Sequence, residues 1–518
     1  MKLAKTGIYT TCLVLFVFLL SGSVLFNSCK RKQGISFQAT GDTIADGKKL
    51  VQIYCAQCHQ ETPANLLTND VWKFHVLPSM SHYIGLSTYG TEYFKRNPDS
   101  AGISFENWQI ILAYYKKLAP AVLSPAKPPV PLINDWAGFT LKKPAPGNEI
   151  AYTTMVVADT STHKIYTSDL FTQKLYEWDK DLNPRIVAQL PSASVNAIFI
   201  KDNKGAKQAV VSCIGQIQPV DFPNGRVVKV DLNQKSEITN PEVISSDLAR
   251  PVQTISGDFN KDGLTDWVIC GQGNNTGGVY LLTQKPDHSF TQSNIIDRAG
   301  SVQAQVGDFN NDGWQDVMVL FGSGDEGLWL FLNDHKGGFT YKNLLRFPPV
   351  YGSTSFQLVD INHDGKLDLI YTCGYNFRDS RILKPYHGLY IFLNQGDWDF
   401  KQSYFYPING CVKAIATDFD GDGDLDIATI SFFADLKNKP AEGFIYFEQD
   451  KPMSFKPHAI PVSNYGRWMT MDVDDTNHDG KPDIILGNYS TGFILQEDLK
   501  PFWDKHLPFI ILENHTKK

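Results

Sequence analysis

The sequence has little of what marks several common functional classes. Its 48 Lys and Arg residues are outnumbered by 55 Asp and Glu residues, which gives a net charge of −7. A basic face for nucleic acid is therefore not expected. No glycine-rich dinucleotide fingerprint is present, and no nucleophile–base pair stands out. Cysteine is scarce, with eight in 518 residues, so each cysteine pattern carries weight.

Long apolar runs are confined to the N-terminus. A short basic segment precedes residues 8–26, which are almost wholly apolar, and Cys29 follows the small Ser28. The segment resembles a bacterial lipoprotein signal, which implies that residues 1–28 are removed and that Cys29 is acylated. An uncleaved transmembrane anchor is the alternative, because the run is about long enough to span a bilayer. Both interpretations predict an exported protein tethered to a membrane of the bacterial cell envelope, facing the periplasm or at the outer membrane.

Residues 40–122 have a helical pattern. "DGKKLVQIYC" predicts a first helix, and "TNDVWKFHVL" predicts a second that ends before Pro78. "SFENWQIILAYYKKLAP" predicts a third helix that begins at the capping residue Ser104 and ends at Pro120.

The first helix leads into Cys55-Ala-Gln-Cys58-His59. Two thiols at this spacing can bond to the two vinyl groups of one haem, and the next histidine then lies under the iron. Zinc would need two more ligands, but no second CxxC or nearby HxxxH exists. A thioredoxin-like dithiol would need a βαβ context, which is absent. The pattern predicts covalent haem, and residues 40–122 resemble a small class I-like cytochrome c domain.

The segment "WKFHVLPSMSHYIGL" offers Met80, His75 and His82 as a sixth iron ligand. Met80 follows Pro78 in what we expect to be an irregular turn. Similarity to cytochrome domains with a "VLPxM" segment implies Met80, whose thioether suits electron transfer at a raised potential. Ligation by a histidine, or a site left open, are the alternatives.

A proline-rich linker over residues 123–135 predicts a stiff, extended spacer. Beyond it, similar units begin at Gly257, Gly307, Val359, Thr417 and Asp474, about 50–58 residues apart, each with four predicted strands. Two weaker units begin at Thr153 and Asn196. Seven such units predict a seven-bladed β-propeller over residues 136–518. The last unit lacks a fourth strand, and a matching strand from Ala137 is expected to complete it and to close the ring.

Five units carry the pattern D-x-[ND]-x-D-G-x-x-D, which places side-chain oxygens at positions 1, 3, 5 and 9 and a backbone carbonyl at position 7. This resembles the start of an EF-hand loop, and hard oxygen ligands favour calcium. The loops also resemble those of FG-GAP/VCBS repeats in integrin-alpha-type propellers, which implies about five structural Ca²⁺ ions. The predicted ligands are Asp258, Asn260, Asp262, Leu264 and Asp266; Asp308, Asn310, Asp312, Trp314 and Asp316; Asp360, Asn362, Asp364, Lys366 and Asp368; Asp418, Asp420, Asp422, Asp424 and Asp426; Asp475, Asn477, Asp479, Lys481 and Asp483.

Two further sets of residues recur in the repeat. Three cysteines in "VVSCIG", "WVICGQ" and "IYTCGY" share a position, which predicts small buried residues, although export would permit disulfides. Polar residues at turns toward the inner strands form a candidate ring at the channel mouth, or are solvated loop residues. They are Arg250, Tyr351, Lys413, Arg467 and Trp468, together with Asn274, Asp325, Arg378 and Asp435.

These patterns predict a mainly all-β chain: a seven-bladed β-propeller preceded by a small all-α cytochrome c domain. The favoured function is a membrane-tethered c-type cytochrome that transfers electrons, with the propeller as a binding or docking platform. The alternative is a haem-dependent dehydrogenase that oxidises a sugar or an alcohol at the propeller mouth. The partner is accordingly a redox protein or a small substrate, and whether the protein is an enzyme stays open. Adhesion alone would leave the haem unexplained.

Overall fold

The fold was analysed in a computed structural model, which describes residues 37–89, 92–95, 102–202, 205–233, 238–376 and 380–516. The predicted signal segment, Cys29 and Arg378 lie outside these residues.

Two long helices frame the N-terminal domain. Helix α1 (Thr43–Tyr54) begins at Asp42, whose carboxylate accepts the N–H groups of Ile44 and Ala45. Helix α4 (Phe105–Leu118) begins at Ser104, as the capping pattern predicts, and ends before Pro120. The two helices cross at Gly47, where an added Cβ would lie 2.3 Å from Cβ of Tyr114. Only glycine therefore permits this crossing.

The middle of this domain differs from the prediction. The second helix does not end before Pro78, and Met80 lies in a helix rather than in an irregular turn. A π turn precedes Pro78, which falls in the first turn of the next helical piece, where its missing N–H is tolerated. A strand pair also shows that the domain is not purely α-helical. The elements are a 3₁₀ turn (Ala64–Leu66), α2 (Asn69–Val71), the π turn (Trp72–Val76), α3 (Leu77–Ser81), a 3₁₀ turn (His82–Ile84), β1 (Leu86–Tyr89) and β2 (Glu92–Lys95).

The rest of the described chain forms seven four-stranded antiparallel sheets, so the predicted seven-bladed propeller is confirmed. Blades 1 and 2 contain β4 (Thr153–Asp159), β5 (Lys164–Asp169), β6 (Lys174–Trp178) and β7 (Pro184–Gln189), then β8 (Ser194–Lys201), β9 (Lys207–Cys213), β10 (Gly225–Asp231) and β11 (Glu242–Leu248). Blades 3 and 4 contain β12 (Pro251–Gly257), β13 (Asp266–Gly271), β14 (Gly278–Gln284) and β15 (Phe290–Ile296), then β16 (Ser301–Gly307), β17 (Asp316–Phe321), β18 (Gly327–Asn333) and β19 (Phe339–Arg346). Blades 5 and 6 contain β20 (Ser353–Val359), β21 (Asp368–Cys373), β22 (Gly388–Asn394) and β23 (Phe400–Pro407), then β24 (Cys411–Thr417), β25 (Asp426–Ser431), β26 (Phe444–Lys451) and β27 (Ser454–His458).

Blade 7 closes the ring. Its sheet is ordered β28 (Trp468–Asp474), β29 (Asp483–Asn488), β30 (Phe509–Asn514) and β3 (Phe139–Lys142). The outer strand thus comes from the start of the propeller sequence, which confirms the predicted closure. The first and last strands of the propeller sequence therefore pair in one sheet, and this pairing holds the ring closed.

Polar side chains on the inner strands join neighbouring blades around the channel. Asn196 accepts the N–H of Thr254 at 2.9 Å, and Gln253 accepts that of Ala304 at 2.6 Å. Gln303 exchanges two hydrogen bonds with the Phe356 backbone in the next blade. Similar side-chain bonds come from Gln357, Lys413 and Asp472. Neighbouring blades are separate sheets without backbone pairing between them, and these side-chain bonds connect them instead. The polar residues of the inner strands are therefore part of the fold.

The proline-rich linker is held on the outside of the propeller. Ile133 pairs with His458 of β27, and Tyr406 of β23 donates a hydrogen bond to the Val130 carbonyl at 3.0 Å. Asp135 lies 2.8 Å from Nδ1 of His458. The linker therefore follows blades 5 and 6 toward blade 7 and is not a free tether.

Candidate functional site

The CxxCH segment follows α1 directly. Cys55 caps the helix end, with its N–H bonded to the Val51 carbonyl, and Cys58 is exposed. Both thiols are free. Burial, with smaller contributions from Glu61 and Cys58, raises the pKa of the Cys55 thiol to about 11. A reactive dithiol needs a lowered pKa instead, so this environment does not suit a thioredoxin-like role.

The ring of His59 is oriented by its own neighbour. Its Nδ1 lies 2.8 Å from the Gln60 carbonyl, so Nδ1 carries the hydrogen and Nε2 is the nitrogen left for a metal. Such a bond fixes the tautomer of a metal-binding histidine. Cys55, Cys58 and His59 therefore fit the donor set of a covalently attached haem.

The three candidate sixth ligands differ in their surroundings. Met80 is half-buried on α3, whereas His75 and His82 are exposed. Nδ1 of His82 lies 3.2 Å from the Leu86 carbonyl. Nothing in the structure selects among the three, and Met80 stays a prediction.

The two domains meet on one face of the propeller. In each blade, the acidic or equivalent turn joins the first strand to the second, and these turns form what we call the acidic face. The opposite face, called the docking face here, carries the second-to-third-strand loops and the connections between blades. Tyr386, in the β21–β22 loop, donates a hydrogen bond to the Leu66 carbonyl at 3.1 Å. Tyr386 and Val350 join the buried apolar cluster of the helical domain, which reaches Cys55 at its edge.

A second contact fixes the helical domain at blade 3. The Tyr83 hydroxyl donates to Oδ1 of Asn275 at 2.7 Å, in the β13–β14 loop. Asp221 holds that loop by accepting the backbone N–H groups of Asn274, Asn275 and Thr276 at 2.6–2.9 Å. The helical domain is thus bound to the docking face at two blades. No sequence pattern indicated these contacts.

Four of the five acidic loops share one hydrogen-bond pattern, and in the loop that begins at Asp418 the N–H of Gly421 at position 4 replaces that of position 5. In the loop 258–266, Oδ1 of Asp258 accepts the N–H of Asp262 at 3.2 Å, and Oδ2 accepts that of Gly263 at 3.1 Å. The same bonds from positions 5 and 6 to position 1 recur in the loops that begin at Asp308, Asp360 and Asp475. In two loops, three carboxylate oxygens lie within 4.8 Å of one another. These groups are Asp360, Asp364 and Asp368, and Asp418, Asp420 and Asp426.

The aspartate at position 9 is buried in all five loops. Asp316, for example, accepts the N–H of Phe309 at 3.0 Å and that of Asn333 at 2.8 Å. Burial raises the pKa of this carboxyl in each loop, to about 7 in Asp426. A cation beside it would favour the ionised form. The oxygen-rich loops therefore fit calcium, and the position-9 carboxylate also ties each loop to the third strand.

Each loop also holds position 4 in the left-handed region. Lys261, Asn311, His363 and His478 have φ between 58° and 63° there, and Gly421 has φ 77°. Position 6 is a glycine with φ between 79° and 101°. The glycine was expected from the sequence, but residue type did not reveal the conformation of position 4.

The prediction of a ring of polar residues at the channel mouth is wrong for three of the residues. Arg250, Arg467 and Trp468 are 7%, 2% and 1% exposed. Arg467 stacks on the Phe432 ring at 3.7 Å and donates to the backbone carbonyls of Phe432 and Phe493. Arg250 donates to the carbonyls of Gln216, Ile217 and Gly273. Both arginines therefore fasten docking-face loops.

The other members of that ring within the described residues also have structural partners. Lys413 donates to the Met471 carbonyl, Asp325 pairs with Arg298 and Arg346, and Tyr351 stacks on Tyr386 at 4.9 Å. The Asn274 N–H is bound by Asp221, and Asp435 accepts from Asn438. These contacts show that the residues take part in the fold.

The prediction that the three repeated cysteines are small buried residues is confirmed, but one of them lies at a different position in its strand pair. Cys213, Cys270 and Cys373 are buried free thiols, as is Cys411. Cys213 and Cys373 oppose the first residue of their inner strands, Ser194 and Ser353. Cys270 opposes Gln253, so its position is not fully equivalent.

Comparison with known proteins supports the repeat. A family model for the FG-GAP-like repeat matches residues 258–319 and 308–371, which contain the acidic loops of blades 3–5. The propeller therefore contains FG-GAP-like repeats. No curated protein matches the chain.

Comparison with solved structures gave matches of low similarity. A crystal structure of BBS1N in complex with ARL6DN, soaked with mercury, is 8% identical, and the match covers 73% of this chain and 98% of that one, with a TM-score of 0.40. A luciferin-regenerating enzyme is 10% identical, with coverage of 74% and 100% and a TM-score of 0.34. Within the described residues, no helix has the length and apolar character needed to cross a bilayer.

Proposed function

We propose that this protein is a c-type cytochrome of the bacterial cell envelope, tethered to a membrane through acylated Cys29. Its helical domain would carry a covalent haem on Cys55 and Cys58, and His59 and Met80 would hold the iron. Its propeller, stabilised by about five calcium ions, is the docking platform. The protein then passes single electrons between redox partners.

One observation carries this proposal: the arrangement of the CxxCH segment at the end of α1. The two free cysteines lie three residues apart in the turn that follows α1, and His59 is held with Nε2 available by its Nδ1 contact of 2.8 Å to the Gln60 carbonyl. Haem, when bound, supplies a one-electron couple. Cys55 and Cys58 would hold it, while the chain orients the His59 ring and partly buries Cys55.

The docked arrangement favours a platform over an independent module. Contacts from Tyr386 and Tyr83 fix the helical domain on the propeller, and the linker is held by blades 5 and 6. A fixed orientation lets a partner bound to the propeller approach the haem domain from a defined side. This requires no catalytic group in the propeller.

The spectrum of the purified protein tests the haem and its ligands. After expression with a cytochrome maturation system, we expect a low-spin c-type spectrum, which Cys55→Ala with Cys58→Ala abolishes. Cys270→Ser, which changes a buried propeller thiol, is the matched control and keeps the spectrum. Met80→Ala is expected to alter the spin state, whereas His75→Ala and His82→Ala leave it unchanged. An unaltered low-spin spectrum in Met80→Ala would contradict the assignment of that ligand.

The dehydrogenase alternative has one observation in its favour. The helical domain contacts loops of blades 3 and 5 on the docking face, where a substrate at the channel mouth would be near it. However, the polar residues expected to act there are engaged in the fold. Substrate-dependent haem reduction by sugars or alcohols, with or without an added quinone cofactor, would establish the enzyme. Reduction by redox proteins alone supports electron transfer.

A further inference from the structure

Buried ionisable side chains cluster in the propeller next to the docked helical domain. Glu326 comes from the β17–β18 loop of blade 4, while Lys384 and His387 come from the β21–β22 loop of blade 5. Their exposed fractions are 1%, 2% and 1%. Charged side chains are almost never this buried unless they are paired, so this cluster requires an explanation.

The carboxyl group of Glu326 accepts hydrogen bonds from two residues where β20 begins. Oε1 accepts the Gly352 N–H at 3.2 Å, and Oε2 accepts the N–H and the hydroxyl of Ser353 at 3.0 and 2.8 Å. The Ser353 hydroxyl lies 2.6 Å from that of Tyr371, which extends the network into blade 5.

The two basic groups have fewer partners. Lys384 donates to the Ser380 hydroxyl at 2.9 Å, and its charge acts on Glu326. Neither ring nitrogen of His387 has a hydrogen-bond partner of good geometry among the described residues. A neutral imidazole in this position retains a nitrogen that can accept a proton.

Tyr386 connects this cluster to the helical domain. It lies between Lys384 and His387 in the chain, and its hydroxyl donates to the Leu66 carbonyl. The apolar cluster that includes Tyr386 and Val350 continues through the helical domain to Cys55. Because this region excludes water, an added charge in the helical domain is weakly screened at the cluster.

We propose that Glu326, Lys384 and His387 form a proton-binding site linked to the redox state of the haem. One electron enters from an external one-electron donor, and the cluster takes up one proton from solvent as a new O–H or N–H bond. The proton returns to solvent when the electron leaves for an acceptor. This inference rests on the proposed haem function.

The protonation equilibria of the cluster support this role. Burial raises the pKa of Glu326 to about 7 and lowers that of Lys384 to about 8, while burial and then Lys384 lower that of His387. Glu326 and Lys384 therefore titrate as a coupled pair near neutral pH, and the buried His387 imidazole beside them is neutral there. The other titratable groups facing it are Tyr351, Tyr371, Tyr386, Tyr390 and Cys373.

The sign of the effect follows from linkage. An added electron makes the helical domain more negative, which favours the protonated form of each group and raises its pKa. Reciprocally, protonation favours reduction. The midpoint potential should therefore fall as pH rises near neutrality. The limit of one proton per electron is a tenfold change in the reduction equilibrium per pH unit, about 59 mV.

The test is a spectroscopic redox titration of the full haem-loaded chain from about pH 5 to about pH 9, across the range where such groups titrate. We expect at least a twofold change per pH unit near neutrality in the wild type, and a much flatter dependence in Glu326→Gln and Lys384→Met. Glu442→Gln is the matched control. Glu442 is a buried carboxyl of blade 6 whose side chain accepts from Asn409, and this variant should keep the wild-type slope.

Proton uptake on reduction, measured with an indicator dye in weakly buffered wild-type protein, needs no variant and is a second readout. A pH-independent potential without proton uptake would overturn the linkage while leaving the haem function intact. The same slope in Glu326→Gln and Lys384→Met as in the wild type would also overturn it. A purified chain without haem would instead refute the proposed function.

Discussion

Blades 3–7 and blades 1–2 share a backbone plan but close the same turn with opposite charges. In blades 3–7 the second strand begins with a buried aspartate, such as Asp266 opposite Gly257. In blades 1 and 2 it begins with a lysine, Lys164 opposite Asp159 and Lys207 opposite Lys201. The predicted calcium ions would add a positive charge to the acidic turns, whereas in blades 1 and 2 a lysine of the chain supplies it.

The contact between blades 1 and 2 shows how the lysine acts. The Lys207 ammonium bonds to the Asp159 carboxylate and to the Ser161 hydroxyl. Burial opposes ionisation of Asp159, but hydrogen bonds from Lys207, Thr162 and Ser161 outweigh it and hold the pKa of this carboxyl below its ordinary value. We therefore expect blades 1 and 2 to be stable without metal and blades 3–7 to depend on it.

Removal of calcium should have the largest effect on stability, because we expect it to destabilise blades 3–7 and not blades 1 and 2. A ligand at a hundred times its Kd stabilises by about 2.7 kcal/mol, and several sites act together. We expect a chelator to lower the Tm by many degrees and to increase hydrogen exchange first in blades 3–7. A chelated protein that melts at the original temperature would refute calcium as a structural element.

The second-largest effect is expected when the aspartate at position 9 of an acidic loop is compared with the lysine that begins the second strand in blades 1 and 2. Asp316→Asn replaces an oxygen that accepts from Phe309 or Asn333 with an N–H group, and each unsatisfied donor costs about 1–3 kcal/mol. The matched change, Lys164→Met, removes an exposed lysine from the buried Glu177, which keeps Arg185 and the Tyr166 hydroxyl as partners, and should cost at most about 1 kcal/mol. Denaturant unfolding of both variants measures the contrast, and equal losses would contradict it.

Lys207→Met tests the internal cation of blades 1 and 2. It leaves the buried Asp159 carboxylate without its charged partner, and we expect a loss of about 1–2 kcal/mol. The loss should be the same with calcium and with chelator. The exposed Lys201→Met is the control and should change little. A loss that appears only in chelator would show that calcium can replace the lysine in this turn.

The smallest effect is expected from replacing two glycines that have similar backbone conformations. Gly263 in the acidic loop of blade 3 and Gly205 in the turn of blade 2 both have φ 79°, and an added Cβ would meet nothing within 4 Å at either. Alanine at either position should cost about 1 kcal/mol through left-handed strain. Calorimetric calcium titration should show weaker binding for Gly263→Ala alone. Weakened binding in Gly205→Ala would argue against the assignment of the metal sites.

Much of the propeller could be predicted because its signals are repeated. Each acidic turn marks the boundary between two strands, so the number of blades followed from the period. The strand at Phe139–Lys142 matched a fourth strand elsewhere and was placed correctly in blade 7. The polar residues Asn196, Gln253 and Gln303 also recur on inner strands, and that signal could have indicated the bonds between blades.

The contacts between domains could not be predicted from the sequence. Tyr386 and Leu66 are 320 residues apart, and neither lies in a recognisable motif. Arg250 and Arg467 were expected near the surface because they lie in turns, but backbone carbonyls of neighbouring loops surround their guanidinium groups. In the helical domain, a π turn allowed the helix to continue beyond Pro78, which local propensity does not reveal.

Covalent attachment of haem to Cys55 and Cys58 is tested most directly by the intact mass of the purified chain under denaturing conditions. We expect the mass of the polypeptide plus one haem, which remains attached after unfolding, and the bare polypeptide for Cys55→Ala with Cys58→Ala. Cys270→Ser should retain the added mass. A wild-type chain of bare polypeptide mass, after expression with an active maturation system, would contradict the assignment of this protein as a c-type cytochrome.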